Sequence, residues 1–122
     1  MQKNESSAKS AKDIVMEYLQ AAERRDFQSA RGFLSDNISY VEPLNSFDRA
    51  EPYLKYLEHL NLPKLDIKKE FADSNDVCIL YELNFGTPPV TSLVCSWFHV
   101  DDDGKISSIR LVFDPRPFVQ QK

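Results

Sequence analysis

LVCSWFHVDDDGKISSIRLVF, residues 93–113, reads as two β-strands joined by an acidic turn. Val94, Ser96 and Phe98 alternate with Leu93, Cys95, Trp97 and His99, the two-residue period that sends neighbouring side chains to opposite faces of a sheet. Asp101-Asp102-Asp103-Gly104 supplies the residues a chain reversal needs. It lacks the spacing and closing glutamate of a calcium-binding loop, so it is read as a hairpin turn.

Working outward, Gly86-Thr87-Pro88-Pro89 and Asp73-Ser74-Asn75-Asp76 punctuate two earlier runs, which predicts strands over 65–72, 77–85, 90–100 and 105–113. Folding at Thr87-Pro88 sets Ile79 opposite Ser96 and Tyr81 opposite Val94. Folding at the acidic turn sets Ser96 opposite Ile109 and Val94 opposite Leu111. One face then carries Val77, Ile79, Tyr81, Leu83, Val94, Ser96, Phe98, Ile109, Leu111 and Phe113, and is expected to line the core. The opposite face carries Cys78, Leu80, Leu93, Cys95, Trp97 and Val112 among Glu82, His99 and Arg110. A sheet with one wet side alternates apolar with polar more cleanly than this, so the outer face is expected to be covered.

The first half of the chain reads as helices. Ile14, Val15, Tyr18, Leu19 and Ala22 form an apolar stripe within 11–25. Asp26 is placed to cap a second helix that carries Phe27, Ala30, Phe33 and Leu34, broken by Ser35-Asp36-Asn37. Residues 38–42 follow as a short strand stopped by Pro43. A third helix spans 49–60, with a capping-box pattern at Asp48 and Glu51 and a stripe of Tyr53, Leu54, Leu57 and Leu60. Asn61-Leu62-Pro63 ends it. The order α-α-β-α-β-β-β-β predicts an α+β fold, three helices on a mostly antiparallel sheet.

At 122 residues, 42% hydrophobic and 28% charged, the chain is sized for one soluble domain. We assign residues 1–10 to a disordered segment and 11–118 to the domain. The formal net charge of −4 works against a phosphate backbone, so nucleic acid is not an expected partner. The first thirteen residues hold no apolar run, and nothing approaches the roughly 20 apolar residues of a membrane span. A cytoplasmic location with no membrane partner is the expectation, and Cys78 and Cys95 are expected as free thiols. No metal-ligand spacing is present. With three glycines and no Gly-rich phosphate loop, no cofactor is expected.

Three stretches carry a family likeness: IVMEYLQAA (14–22), FLSDNISYVEP (33–43) and WFHVDDDGKISSIR (97–110). In this order they resemble the ketosteroid isomerase and SnoaL-like branch of the nuclear-transport-factor-two-like superfamily, over about residues 12–114. The resemblance implies a cone-shaped roll, a curved sheet wrapped round a long helix with an apolar cavity inside. It also implies a homodimer formed through the outer sheet face, at Leu80, Leu93, Cys95, Trp97 and Val112. In ketosteroid isomerases an Asp before Pro is the general base, while a first-helix Tyr and a protonated late-strand Asp hold the oxyanion. Matched by motif, Glu42 takes the base position, Tyr18 the phenol and Ser96 the second donor. Glu42 is one methylene longer than the family's Asp, and Ser96 offers a hydroxyl where the family has an acid.

Each position also has a plain structural reading. Glu42 either faces the cavity, its direction fixed by Pro43, or sits in solvent beside a Lys or Arg. Tyr18 either donates to a ligand or packs its ring and finds one partner for its hydroxyl. Tyr40 shares a strand face with Glu42, and Tyr81 projects into the same core. With Val94, Phe98, Ile109, Leu111 and Phe113 they are the expected ligand-binding wall. His59 is assigned to a helix end and His99 to the outer face. Asp114 and Arg116 form a surface ion pair or steer a ligand at the cavity mouth. Two functions follow from the resemblance. One is a protein that binds a small apolar carbonyl compound and moves a proton on it without a cofactor. The other is a non-catalytic ligand- or protein-binding module of the same fold.

Overall fold

Helix α1, Ala11–Glu23, is set by its apolar stripe: Ile14, Val15, Tyr18 and Ala21 are buried, and Ser10 caps it by accepting from the Asp13 amide at 3.1 Å. The computed structural model describes residues 9–86 and 90–119. The expected disordered segment therefore lies outside the described residues except at Lys9 and Ser10, as does the turn at Thr87-Pro88-Pro89. Arg25, at φ 61°, reverses the chain after α1. Asp26 then caps α2, Phe27–Arg31, through the Ser29 amide.

Here the sequence expectation needs correction. Helix α2 ends before Phe33 and Leu34, and strand β1 runs Leu34–Val41, so Ser35-Asp36-Asn37 lie in the strand rather than breaking a helix. Arg31 holds this segment by pairing with Asp36 and with Glu51, and by donating to the Leu34 carbonyl at 3.0 Å. Those tertiary partners override the turn preference of the three residues. Glu42 sits one residue past the strand, in a turn closed by its own amide donating to the Asn45 carbonyl at 2.9 Å. A two-residue strand β2, Ser46–Phe47, follows and was not expected. Helix α3, Ala50–Leu60, starts at Arg49 with no side-chain cap, so the Asp48–Glu51 capping box does not form; Glu51 is turned to Arg31 instead. Asn61 ends α3 in the left-handed conformation, φ 51°.

Strands β3 (Asp66–Asp73), β4 (Asp76–Phe85), β5 (Val90–Val100) and β6 (Ile106–Val112) complete an open six-stranded sheet, and a short helix α4, Arg116–Val119, follows it. The sheet order is β2-β1-β6-β5-β4-β3, antiparallel except where β1 runs parallel to β6. Bulges between Leu34 and Ser39, Ile67 and Lys69, and His99 and Val100 bend it. Helix α1 packs on β4 and β5, and α3 on β1 and β2.

The β4–β5 register is the expected one, with Ile79 opposite Ser96 and Tyr81 opposite Val94. The β5–β6 register is not: Ser96 faces Leu111 and Phe98 faces Ile109. A three-residue turn between Asp101 and Lys105, with Gly104 at φ 76°, and one bulged residue after it move β6 along by two. A shift of two preserves the faces. Val77, Ile79, Tyr81, Leu83, Val94, Ser96, Phe98 and Ile109 are buried inside, while Leu93, Trp97 and Val112 are 56%, 48% and 68% exposed outside. Cys78 and Cys95 are free thiols, half-buried on that outer side. There Asp76 accepts from the Trp97 indole at 2.8 Å and bonds the His99 ring at 3.0 Å. No helix among the described residues is long and apolar enough to cross a membrane.

Candidate active site

Between the helices and the concave face of the sheet lies a cavity of about 790 Å³, within the range of small-molecule sites. All five tyrosines of the chain line it: Tyr18 from α1, Tyr40 from β1, Tyr53 and Tyr56 from α3, Tyr81 from β4. Leu19, Leu57, Val94, Phe98, Ile109, Leu111 and Phe113 supply apolar wall, and Phe118 from α4 closes against Phe113. Every residue expected at the ligand wall is present in the lining.

Glu42 faces this cavity and is only 9% exposed. Its direction follows from the chain: Pro43 holds residue 42 extended, and the tight turn to Asn45 folds the carboxylate inward. Oε1 accepts from the Leu44 amide at 3.0 Å and from the Asn45 side chain at 3.4 Å. Oε2 accepts from the Tyr40 hydroxyl at 3.1 Å and from the Tyr56 hydroxyl. Asn45 also donates to the Tyr56 oxygen at 3.1 Å, closing a ring of three side chains. An ionised carboxylate offers about four lone-pair sites, so these four donors fill it.

The remaining hydroxyls form two separate pairs. Tyr18 and Tyr53 are bonded at 2.5 Å, and Tyr81 and Ser96 at 2.9 Å. Tyr18 and Glu42 both line the one cavity, as expected, and each has its own partners: the Tyr18 hydroxyl is bonded to Tyr53, and Glu42 to Tyr40 and Tyr56. Two packing facts explain this. Tyr40 stacks on Tyr53 at 4.4 Å between ring centroids, and Phe47 from β2 packs against Tyr40, Tyr53 and Tyr56. This aromatic block interposes itself between α1 and the turn that carries Glu42.

Burial pushes the Tyr18, Tyr53 and Tyr40 phenols well above the ordinary tyrosine value. Burial does the same at Tyr56, and for Tyr40 and Tyr56 the adjacent Glu42 charge adds to it. Tyr81 is pushed up to about 12 by burial, with the Ser96 bond opposing. All five phenols thus keep their protons at neutral pH. Each hydroxyl pair uses one proton in its own bond and retains a second to donate. Beside the apolar wall the cavity consequently presents the buried Glu42 carboxylate as an acceptor and, from these two pairs, two spare O–H donors. That is the equipment for holding a polar group of an otherwise apolar molecule and for moving a proton on it.

Sequence reasoning missed Tyr56, Asn45 and the paired role of Tyr53. The signal available was weak: Tyr53 and Tyr56 are three apart on one helix and so share a face. His59 bonds the Lys55 carbonyl at 2.8 Å at the end of α3, away from the site. Asp114 and Arg116 pair at 2.6 Å in solvent, which holds the Asp114 carboxyl down at about 2. Among the described residues no three His, Cys, Asp or Glu side chains are grouped to hold a metal ion.

An α+β domain of helices on a curved open sheet, with a tyrosine-lined cavity between them, defines the class. The chain belongs to the SnoaL-like domain family, whose model matches residues 15–109. No curated protein sequence matches it. Among solved structures it is similar to an NTF2-like protein of unknown function from Cytophaga hutchinsonii, with 27% identity and a TM-score of 0.83 over 93% of this chain and 98% of that one. It shares its fold with a ketosteroid isomerase-like protein from Kribbella flavida (14% identity, TM-score 0.76, 92% and 88% covered). An LEH-like epoxide hydrolase from M. tuberculosis also has this fold (24% identity, TM-score 0.72, 85% and 82% covered).

Proposed function

We propose that the cavity binds a small, mainly apolar carbonyl compound and that Glu42 moves a proton on it without a cofactor. The observation that carries this reading is a buried carboxylate, Glu42, facing a mainly apolar cavity into which two hydroxyl pairs, Tyr18–Tyr53 and Tyr81–Ser96, also project. In the reaction an Oε2 lone pair takes the proton from the carbon next to the carbonyl. The C–H electrons become a C=C bond, and the carbonyl π pair moves onto oxygen. The spare proton of the Tyr18–Tyr53 pair or of the Tyr81–Ser96 pair hydrogen-bonds that oxyanion. Where the compound carries a β,γ C=C bond, the oxyanion pair re-forms C=O, the enolate π pair moves to Cα=Cβ, and the β,γ π pair takes the proton back from Glu42 at Cγ, giving an isomer. Without that bond the proton returns to the same carbon and the outcome is exchange. For Oε2 to act, the Tyr56 hydroxyl must yield its place.

The test is solvent deuterium exchange into a panel of cyclic enolisable ketones led by 2-tetralone, followed by proton NMR. Wild type should accelerate exchange over buffer, and Glu42→Gln should remove about 10²–10⁴-fold of it while calorimetry shows the ketone still bound. A ketone that binds wild type yet exchanges at the buffer rate would refute proton transfer. That result would favour the second reading, a ligand-binding module without turnover. One observation speaks for it: the Glu42 carboxylate is already filled by its own chain.

The outer sheet face belongs to the same proposal. Leu80, Leu93, Cys95, Trp97 and Val112 form an apolar surface on one side of the sheet, suited to a second copy of the chain.

A further inference from the structure

The four donors around Glu42 differ in how freely they can leave. The Leu44 amide and the Asn45 side chain belong to the turn that forms Glu42 itself. Tyr40 is 3% exposed and its ring packs against both Tyr53 and Phe47. Tyr56 is half-buried and projects from α3 at the cavity wall; its hydroxyl meets Glu42 and Asn45, and its ring rests on Phe47 at 5.1 Å and on Tyr40 at 6.0 Å. A rotation of this one side chain opens Oε2 to the cavity and breaks no backbone bond.

Once Tyr56 leaves, Oε2 is a buried carboxylate oxygen short of one donor. A ligand whose only polar atom is an acceptor, such as a bare ketone or ether, cannot repair that loss. A ligand hydroxyl can, because it donates to Oε2 as the phenol did. Asn45 remains in place to donate to the incoming oxygen, as it now donates to Tyr56.

We infer that the natural ligand carries a hydroxyl group, and that this hydroxyl replaces the Tyr56 phenol on Glu42 while the ligand's acceptor is held by one of the spare donors. The inference rests on the proposed binding of a ligand in the cavity and narrows that ligand to one with a hydroxyl. With Tyr40 and the ligand hydroxyl both on Oε2, it goes with binding without turnover and not with proton abstraction by Oε2. Tyr56 is then a built-in competitor that occupies the hydroxyl subsite when the cavity is empty.

The probes are 2-naphthol and 2-methoxynaphthalene, which share a ring system and differ in whether the oxygen can donate, measured by calorimetry. Wild type should bind 2-naphthol only several-fold more tightly, because its hydroxyl exchanges for the Tyr56 phenol and gains only what a more acidic donor adds. Tyr56→Phe removes the competitor, so the full hydrogen bond to a charged group shows: the preference for 2-naphthol should widen to about 10- to 100-fold while 2-methoxynaphthalene is unchanged. Glu42→Gln should bring the two probes to similar affinity, because its amide both donates and accepts. Circular dichroism of each variant confirms the fold. Equal binding of the two probes by wild type, or no tightening in Tyr56→Phe, would overturn the hydroxyl subsite and leave the cavity reading intact. Failure of wild type to bind either probe would overturn both.

Discussion

Raising the pH should unfold this protein through its tyrosines, and the structure sets the size of the effect. Below pH 10 the phenols are protonated in both folded and unfolded chains, so they exert no pH dependence. An unfolded tyrosine ionises near 10, whereas Tyr81 holds its proton to about 12 and Tyr18, Tyr40 and Tyr53 are displaced in the same direction. Above pH 10 the native state therefore binds more protons than the unfolded state, and stability falls as pH rises. Four retained protons, at 1.36 kcal/mol per proton and pH unit, give a slope of about 5 kcal/mol per pH unit. Tyr56 adds less because it is half exposed to solvent screening. A small domain holds only about 5–15 kcal/mol in total, so the fold should be lost within about one to three pH units of 10. Ionised-phenol absorbance and far-ultraviolet circular dichroism, followed together, should change in one shared transition. Four tyrosines ionising near pH 10 while the circular dichroism stays native would refute the buried-phenol account.

Two further outcomes follow from the same geometry. Tyr18→Phe and Tyr53→Phe should each destabilise by about 1–3 kcal/mol in urea unfolding, since each orphans a buried hydroxyl. The double variant should cost less than the sum, and strict additivity would show that the 2.5 Å pair is not coupled. Trp97→Glu places a charge on the outer sheet face and should shift sedimentation from dimer to monomer or aggregate; a wild-type chain that is monomeric at micromolar concentration refutes the second-copy proposal.

Much of this architecture is legible in the chain because it depends on local periodicity. The two-residue alternation through 77–85 and 90–100 sorts inner from outer side chains, and a register error of two at β6 leaves that sorting untouched. The stripe of Ile14, Val15 and Tyr18 fixes which face of α1 turns inward. Asp26 caps as its residue type predicts, because a cap needs only an amide three residues away. Where partners lie far apart in sequence, local preference misleads. Ser35-Asp36-Asn37 reads as a breaker, yet it is carried as an irregular stretch of β1 between the β6 pairings at Leu34 and Ser39, with Arg31 bonded to Asp36 and to the Leu34 carbonyl. Asp48 and Glu51 read as a capping box, yet Glu51 has a guanidinium to meet.

For the site, the sequence by itself determined that Glu42 is extended before Pro43 and that Tyr18, Tyr81 and Ser96 point to the core. It also determined that Tyr53 and Tyr56 share a helix face. Which hydroxyl bonds which is a different kind of fact. Tyr18 and Tyr53 are 35 residues apart, Tyr56 and Glu42 are 14 apart, and Tyr81 and Ser96 are 15 apart. Five phenols, Ser96 and Glu42 in a single cavity admit many pairings with similar hydrogen-bond energies. The tertiary structure chose among them by packing: the Tyr40–Tyr53 stack and Phe47 on an unforeseen two-residue strand leave Tyr18 with Tyr53 and Glu42 with Tyr40 and Tyr56. Ring volumes and backbone positions, fixed only when all the elements assemble, decide what a list of polar residues leaves open.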